Sequence, residues 1–244
     1  MKLHNLFSVY KKKIIITGGN SGIGLQLSKS LKLLRANIIR VDLKFDNKIG
    51  SIDYVCDLRE EYKVKHLFEK IKKKFKNIDG LVNCAGVSIN LKNPYNNVEY
   101  YENTLSSNLK SAFLTTVKAC ELMKKKGSVI NITSLGAELA FPKNPIYQVS
   151  KAGLRQLTKA FARDYSKFGI RFNNICPGYI KSKMTVKSYN DPKKNKIRSN
   201  RTLLNYWGDT FDLVGPVIFL LSDSSNYITA SDIYVDGGWM AKGI

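Results

Sequence analysis

Short runs of apolar residues alternate with segments of helical periodicity from one end of the chain to the other. The first run, Lys13–Thr17, reads KIIIT, and the segment after it places Leu27 and Leu31 on one helical face. Because such strands show no polar alternation, both of their faces must be buried, as happens in a parallel sheet with crossover helices on either side. The alternation therefore predicts an α/β fold, a doubly wound parallel sheet of about seven strands with helices on both faces.

The same periodicity locates the individual elements. Strands are predicted at residues 13–17, 37–42, 52–56, 79–83, 128–133, 171–176 and 232–235, and helices at 22–34, 60–75, 104–123, 146–168 and 210–221. Since no linker, repeat or low-complexity block separates them, residues 1–244 are expected to form a single domain. Residues 179–206 are polar, rich in Lys and Asn, and aperiodic, which is typical of a functional lid.

The chain of 244 residues carries a formal net charge of +21. A basic surface can indicate nucleic-acid binding, but 32 of the 40 basic residues are Lys and only 8 are Arg, the better reader of bases. The runs 72–74 and 124–126 also fall at the ends of predicted helices, where Lys complements the helix dipole. We therefore interpret the charge as solvated helix ends and expect no nucleic-acid partner.

Composition argues against several other classes of protein. Apolar runs such as 217–221 are far shorter than a membrane span, and the Lys-rich start lacks the apolar core of a signal peptide, so a cytoplasmic protein with no membrane partner is expected. The four cysteines are far apart and are expected to be buried and reduced. With two histidines, no CxxC pair and no GxSxG, neither a metal site nor a Ser-His-Asp hydrolase is expected.

A glycine-rich turn joins the first strand to the first helix. Residues 17–24 read TGGNSGIG, with Gly18, Gly22 and Gly24 at the turn. Glycine lets the backbone turn tightly and approach a pyrophosphate, which the free N–H groups of the helix N-terminus can then bind. The turn therefore predicts a dinucleotide site.

Asp42 ends the second predicted strand, shortly after this turn. A carboxylate there can accept hydrogen bonds from both hydroxyls of an adenine ribose and would repel a 2′-phosphate. Neither Asn20 nor Ser21 offers a cation to such a phosphate, although Arg40 and Lys44 flank the site. The pattern favours NAD over NADP.

Tyr147 and Lys151 lie four residues apart at the start of a predicted helix and so share one face. An unperturbed phenol has a pKa of about 10, and a neighbouring ammonium is expected to lower it by favouring the phenolate. The pair is therefore a candidate acid/base couple that could protonate a carbonyl oxygen or deprotonate an alcohol.

Over essentially its whole length the chain resembles the classical short-chain dehydrogenase/reductase family. The matching residues are, in family order, the turn 17–24, Asp57, the segment 83–86, the tetrad Asn108, Ser134, Tyr147 and Lys151, the pair Pro177-Gly178, and the closing VDGG at 235–238. Cys84 replaces a family asparagine, and Ser182 stands where many members carry threonine. The resemblance implies a Rossmann-type fold and an oxidoreductase that interconverts a secondary alcohol and a ketone.

The resemblance also implies roles for the matched residues. Tyr147 would be the acid/base, and Ser134 would bind the substrate oxygen. Lys151 would hold the nicotinamide ribose, and Asn108 would keep a water for proton relay. The residues expected to contact the cofactor are Gly18, Asn20, Ser21, Gly22, Ile23, Gly24, Asp42, Asp57, Leu58, Asn83, Ala85, Gly86, Tyr147, Lys151, Pro177, Gly178, Ile180 and Ser182.

The family is usually tetrameric, so a homo-oligomer, either a tetramer or a dimer, is expected. On the predicted helix 104–123, the side chains of Phe113, Val117, Cys120 and Leu122 offer more apolar surface than one sheet contact needs. That surplus favours pairing with a second copy of the chain.

Within the family, the ending VDGGWMAKG and the stretch RTLLNYWG at 201–208 are similar to gluconate-type sugar dehydrogenases and to reductases of bacterial surface-glycan and flagellin-modification pathways. A 3-oxoacyl carrier-protein reductase is the alternative, although those enzymes usually favour NADP and lack an equivalent of Asp42. A non-catalytic dinucleotide-binding sensor, or a nucleic-acid-binding protein, is the alternative of another class, although such sensors commonly lose the Tyr and Lys that this chain keeps.

The predicted lid is strongly cationic. Between residues 179 and 201 there is one acid, Asp191, against the cations Lys181, Lys183, Lys187, Lys193, Lys194, Lys196, Arg198 and Arg201. In the family this segment covers the substrate, and a cationic lid would concentrate anions and pair with them as it closes. We therefore expect an anionic substrate, such as a phosphorylated or nucleotide-linked sugar, with an acidic carrier protein as the rival and a merely solvated loop as the alternative.

Overall fold

The computed structural model describes residues 6–89, 91–95 and 97–242. The strands are β1 (Lys13–Thr17), β2 (Asn37–Asp42), β3 (Ile52–Val55), β4 (Ile78–Asn83), β5 (Met123–Ile132), β6 (Ile170–Pro177), β7 (Ile180–Lys181), β8 (Gly208–Asp209) and β9 (Asp232–Val235). The helices are α1 (Gly22–Leu33), α2 (Glu61–Phe75), α3 (Val98–Leu105), α4 (Ser111–Leu122), α5 (Pro145–Tyr165), α6 (Val186–Tyr189), α7 (Pro192–Ser199) and α8 (Val214–Leu221).

Seven of the strands form one parallel sheet in the order β3-β2-β1-β4-β5-β6-β9. The predicted α/β fold with a parallel sheet of about seven strands is thus confirmed. The chain builds outward from β1 to β3, then crosses back and adds β4 on the other side of β1. This reversal opens a crevice at the carboxyl ends of β1 and β4, where ligands bind in doubly wound sheets.

The apolar core lies on both faces of the sheet, as the uninterrupted apolar strands predict. Residues that alternate along a strand go to opposite faces, so Ile15 packs with α2, α4 and α5 while Ile14 and Ile16 pack with α1 and α8. All three isoleucines are fully buried. Burial of each such side chain stabilises the fold by roughly 1.5–3 kcal/mol. Since these buried side chains hold the strands in place, the loops at the strand ends have fixed starting points.

The helix predicted at 104–123 differs most from the observed structure. It is two helices, α3 and α4, joined by a π-helical turn over Ser106–Lys110. The first helix begins earlier than predicted because the side chain of Asn97 caps it, accepting a 2.7 Å hydrogen bond from the Tyr100 N–H. At the other end the chain turns into β5 at Met123, so the Lys run at 124–126 lies in a strand rather than at a helix end. The run at 72–74 does occupy the last turn of α2.

The segment predicted as an aperiodic lid contains the two short helices α6 and α7. Pro192 occupies the first turn of α7, and the Asp191 side chain caps it by accepting a 3.1 Å hydrogen bond from the Lys194 N–H. These local signals outweigh the lack of apolar periodicity. None of the described helices is both long enough and apolar enough to cross a bilayer.

Candidate active site

A cavity of about 450 Å³ lies at the carboxyl ends of the central strands. Its walls come from the segments that follow β1 to β6, together with α5 and the start of the lid. Its size falls within the range of ligand pockets, and it occupies the crevice created by the sheet reversal.

The glycine turn forms one end of this cavity. Gly18 has a φ of +66°, and a Cβ there would lie 2.9 Å from the backbone of Ala85. Thr17 supports the contact, because its hydroxyl accepts 3.1 Å hydrogen bonds from the N–H groups of Cys84 and Ala85. The turn is therefore held against the end of β4, and only glycine suits position 18.

The N-terminus of α1 opens into the cavity beside this turn. Ser21, Gly22 and Ile23 line the wall, and among the described residues no side chain caps the helix start. Its first N–H groups and positive dipole end are suited to a pyrophosphate. The glycine turn and the start of α1 together therefore fit the pyrophosphate of a dinucleotide.

Asp42 is placed at the cavity by two backbone hydrogen bonds. Its carboxylate accepts from the N–H of Asn20 at 2.9 Å and from the N–H of Leu43 at 2.7 Å. The Asn20 side chain turns away and pairs reciprocally with Asp46, at 3.0 and 2.9 Å. Asp42 thus faces the cavity, while Asn20 supports it from behind.

Arg40 flanks the glycine turn, as the sequence suggests, but it does not line the cavity. It is fully buried, and its guanidinium forms a bidentate pair with Asp53 at 2.8 and 2.5 Å. It also donates to the carbonyl oxygens of Gly19 and Asn47 at 3.2 and 2.7 Å. The suggestion that Arg40 could reach a 2′-phosphate is wrong, because these contacts occupy it inside the fold.

Asp57 lies at the far end of the cavity, and its partner Arg59 was missed by the sequence reasoning. The guanidinium of Arg59 binds both carboxylate oxygens of Asp57, at 2.9 and 2.6 Å, and reaches the Asn103 side chain at 3.0 Å. The hydrogen bond from Arg59 holds the pKa of Asp57 below its usual value. The i, i+2 spacing of Asp57 and Arg59 could have indicated their ion pair from the sequence. The hydrogen bond from Arg59 to Asn103 joins distant segments and is visible only in the tertiary structure.

Asn108 lies in the π-helical turn and is fully buried. Its amide pairs with the backbone of Val87, accepting from the N–H at 2.7 Å and donating to the carbonyl at 2.9 Å. It also donates to the Ser150 hydroxyl at 3.0 Å. The Asn108 side chain therefore holds the loop after β4 against α5.

Ser134, Tyr147 and Lys151 line one wall of the cavity. Burial raises the pKa of Tyr147 above its usual value, a hydrogen bond with Ser134 opposes the rise, and nearby Tyr179 adds to it. Burial lowers the pKa of Lys151 to about 8. The shift of Tyr147 is opposite to the one expected from the sequence, because burial dominates and the Lys151 amine, 5.8 Å from the ring centroid, is bonded to the carbonyl of Ile132 instead.

Most of the residues expected to contact a cofactor lie on the cavity wall. They are Gly18, Ser21, Gly22, Ile23, Asp42, Asp57, Leu58, Ala85, Gly86, Tyr147, Lys151, Pro177, Gly178, Ile180 and Ser182. Asn20, Gly24, Asn83 and Asn108 lie behind the wall; Asn83 bonds to Thr115, Thr116 and Asn131 inside the core. The predicted lid cation Lys183 also lines the cavity, and further lining residues, which the sequence did not single out, include Leu43, Arg59, Val87, Asn103, Ser107, Met184 and Thr185.

An aromatic cluster stands next to Tyr147, and we call its members Phe141, Tyr179, Tyr189, Trp207 and Trp239 the aromatic box. Tyr179 is its centre, with ring centroids 5.1 Å from Trp207 and 5.0 Å from Trp239. Phe141 is bonded to α5, since its N–H donates to Gln148 at 2.8 Å. The box is therefore attached to the helix that carries the candidate acid/base.

Comparison with known proteins gives a consistent set of relatives. A family model described as "Enoyl-(Acyl carrier protein) reductase" matches residues 19–240. The 2-dehydro-3-deoxy-D-gluconate 5-dehydrogenase of Bacillus subtilis is 32% identical, over 98% of this chain and 99% of its own length. A 3-oxoacyl-[acyl-carrier-protein] reductase of Thermotoga maritima is 30% identical, over 93% of this chain and 97% of its own.

A solved relative has the same overall fold. The gluconate 5-dehydrogenase of Burkholderia cenocepacia, in complex with NADP and tartrate, aligns with a TM-score of 0.92 at 26% identity. The alignment covers 98% of this chain and 99% of that one.

Proposed function

The chain belongs to the short-chain dehydrogenase/reductase family, and on that premise we propose that it interconverts a secondary alcohol and a ketone on a sugar acid or a related anionic sugar. The family supports an oxidoreductase that acts on CH–OH groups. The observation that carries the proposal is that Ser134, Tyr147 and Lys151 share one wall of the cavity that begins at the glycine turn.

The cavity offers a contact for each part of a nicotinamide dinucleotide. The start of α1 would hold the pyrophosphate, Asp42 the adenine ribose, and Lys151 the nicotinamide ribose. When bound, the cofactor supplies or accepts the hydride. We propose NAD rather than NADP, because Asp42 presents a carboxylate where a 2′-phosphate would lie; the NADP in the solved relative is the counter-observation.

Proton transfer falls to Tyr147. Its raised pKa keeps the phenol neutral near pH 7, so it can donate a proton to a ketone oxygen that Ser134 holds by a hydrogen bond. In the oxidative direction the phenol must first lose its proton, so we expect oxidation to speed up as the pH rises.

The substrate proposal rests on the lid and on the named relatives. The lid carries eight cations against one acid, and two relatives act on gluconate-type sugar acids by name. Tartrate, bound in the solved relative, is also a hydroxy acid. Phosphorylated and nucleotide-linked sugars of surface-glycan synthesis share this anionic chemistry and belong to the same substrate panel.

A second candidate is a 3-oxoacyl carrier-protein reductase. The match to the Thermotoga maritima reductase favours it, and the net charge of +21 would suit an acidic carrier protein. Asp42 argues against this candidate, because its carboxylate disfavours NADP, the cofactor that these reductases usually prefer.

We also propose that the enzyme works in the cytoplasm. Its four cysteines are unpaired in the structure, as suits a reducing compartment.

The test is a substrate panel followed by nicotinamide absorbance with NAD(H) and NADP(H). The panel contains keto-gluconates and gluconate, phosphorylated and nucleotide-linked sugars, neutral sugars and a 3-oxoacyl thioester. We expect the highest kcat/KM for a sugar acid with NAD(H), and a KM that rises with ionic strength. Preference for the thioester with NADP(H) would favour the second candidate, and no turnover on any member would favour a non-catalytic sensor.

A further inference from the structure

Arg198 on α7 is the lid cation that contacts two rings of the aromatic box, among the described residues. Its guanidinium carbon lies 4.4 Å from the ring centroid of Tyr179 and 5.7 Å from that of Trp207. Stacking on Tyr179 with Trp207 alongside restrains the planar guanidinium, which lowers the entropic cost of binding a further partner.

One nitrogen of this guanidinium lacks a hydrogen bond. Nη1 of Arg198 is buried and has no partner within the described part of the chain. The one acid of the lid, Asp191, is paired with Lys194 at 2.7 Å and does not contact Arg198. A buried charged donor without an acceptor costs free energy, so the site favours an anion that supplies the missing acceptor.

The position of Arg198 connects it to the reacting centre. Tyr179, on which it stacks, is near enough to Tyr147 to influence its titration. Phe141 contacts the same ring, at 6.3 Å between centroids, and is bonded to Gln148, the neighbour of Tyr147. Tyr179 and Phe141 therefore link the guanidinium of Arg198 to α5, the helix that carries the candidate acid/base.

The other lid cations are placed differently. Lys194 is paired with Asp191, Lys181 lies over a single ring of the box, that of Tyr189, at 4.7 Å, and Lys183 lines the cavity. Arg201 is exposed, and among the described contacts its side chain forms no hydrogen bond or ion pair. Arg201 is thus a matched control, because it has the same charge and lies three residues away outside the aromatic box.

We propose that Arg198 determines substrate specificity by binding the carboxylate of a sugar acid through its planar guanidinium. This inference rests on the proposed function and names the residue that selects the anionic substrate. Arginine suits the task because its fork of N–H donors matches the two oxygens of a carboxylate. Since Nη1 is covered, the carboxylate reaches it when the lid opens, and closure then encloses the pair in the aromatic box.

The test uses direct binding rather than turnover. The chain has only two tryptophans, Trp207 and Trp239, and both belong to the aromatic box, so intrinsic fluorescence reports its occupation. The titrations use the Tyr147→Phe protein saturated with NAD, in which turnover is expected to be about 10²- to 10⁴-fold slower. The ligands are D-gluconate and D-glucitol, which share a hydroxyl chain but differ in the terminal carboxylate.

In this background Arg198→Gln should weaken gluconate binding by about 10- to 100-fold, as expected for loss of a charged hydrogen bond, and should leave glucitol binding unchanged. Arg198→Lys should recover only part of the loss, because an ammonium lacks the planar fork. Arg201→Gln should change either affinity by no more than about twofold, in line with a screened surface charge.

Two results would overturn the inference. Equal losses for gluconate and glucitol would mean that Arg198 only holds the lid, and equal losses from Arg198→Gln and Arg201→Gln would mean that diffuse charge attracts the anion. If Arg198→Gln folds poorly, the gluconate and glucitol affinities of Arg198→Lys are compared with those of the parent protein instead. The NADH affinity of each variant serves as the check on folding. The proposed function fails separately, by absence of turnover in the substrate panel, while the binding titrations still decide the role of Arg198.

Discussion

Lys151 donates a 2.7 Å hydrogen bond to the backbone carbonyl of Ile132, the last residue of β5. The bond anchors the amine under the cavity wall, where burial lowers its pKa to about 8 from an ordinary value of 10.5. A charged amine buried in this environment lowers the free energy of unfolding. The role proposed for Lys151 in cofactor binding explains why a destabilising residue is present at this position.

The first prediction concerns that cost. Below about pH 8 Lys151 is charged in both the folded and the unfolded chain, so the free energy of unfolding is lowered by the full cost of burying the charge. As the pH rises from about 8 to 10.5 the folded chain is deprotonated first, and the wild type should gain roughly 3 kcal/mol of unfolding free energy relative to Lys151→Met. Tyr147, whose pKa is raised, lowers the unfolding free energy of both proteins above about pH 10, so its contribution is common to the two and leaves their difference unchanged.

Urea unfolding at several pH values measures the gain. Lys159→Met, at an exposed position on the same helix, is the control and should show no such trend. A constant difference between wild type and Lys151→Met across this range would contradict the prediction.

The second prediction concerns the acid/base. Tyr147→Phe should lower kcat by roughly 10²- to 10⁴-fold, because it removes the transferable proton but keeps the ring. NADH affinity should change little, as measured by fluorescence titration. Tyr165→Phe, on the same helix, is the matched control, and turnover of the Tyr147 variant within a few fold of wild type would exclude the proposed role.

The third prediction concerns cofactor choice. The wild type should use NAD more efficiently than NADP, and Asp42→Ala should narrow the ratio of the two kcat/KM values by removing charge repulsion. Lys44 is the nearby cation that could then approach a 2′-phosphate, since its pair with Asp46, at 3.1 Å, lies on the surface. Equal use of both cofactors by the wild type would refute the assignment.

Arg40 provides the contrast to this substitution. Arg40→Met removes the two hydrogen bonds to the partly exposed Asp53 and should cost about 1–3 kcal/mol of unfolding free energy. It should leave the NAD to NADP ratio of the folded protein near the wild-type value, as steady-state kinetics with both cofactors would check.

The fourth prediction concerns the packing of α1 on the glycine turn. A Cβ at Gly24 would lie 2.2 Å from the carbonyl oxygen of Gly18, so Gly24→Ala must displace the turn. We expect a loss of about 1–3 kcal/mol in unfolding free energy and weaker NADH binding. Gly215→Ala is the control: nothing lies within 4 Å of its Cβ, and it should be neutral or stabilising by about 0.5 kcal/mol.

The fifth prediction concerns assembly, and the structure narrows the surface expected from the sequence. Cys120 and Leu122 are buried in the core of their own chain, and Val117 packs against that core, whereas Phe113 is 45% exposed on α4. Val149 on the neighbouring α5 is 54% exposed. We therefore expect a homo-oligomer in which α4 contributes to the interface. Phe113→Asp should shift it to a smaller species, as measured by light scattering. Tyr227→Asp, at an exposed site elsewhere, should leave the size of the assembly unchanged. A wild-type monomer at micromolar concentration would contradict the prediction.

The sequence alone was sufficient for features that depend on local spacing. The apolar strand β1 runs into Gly18 within a few residues, and Tyr147 and Lys151 share a helical face because four residues make about one turn. The parallel sheet followed from strands that are apolar on both faces, and the positions of their ends then bring Asp42, Ser134 and Gly178 to one edge.

Contacts between distant segments were decided only by the tertiary structure. Arg40 is committed to Asp53 because β2 and β3 pair in register, and the titration of Tyr147 depends on how deeply the assembled wall buries it. The box around Arg198 draws Tyr179 and Trp207 from either end of the lid. Burial and long-range packing set these properties, and neither is encoded in the spacing of neighbouring residues.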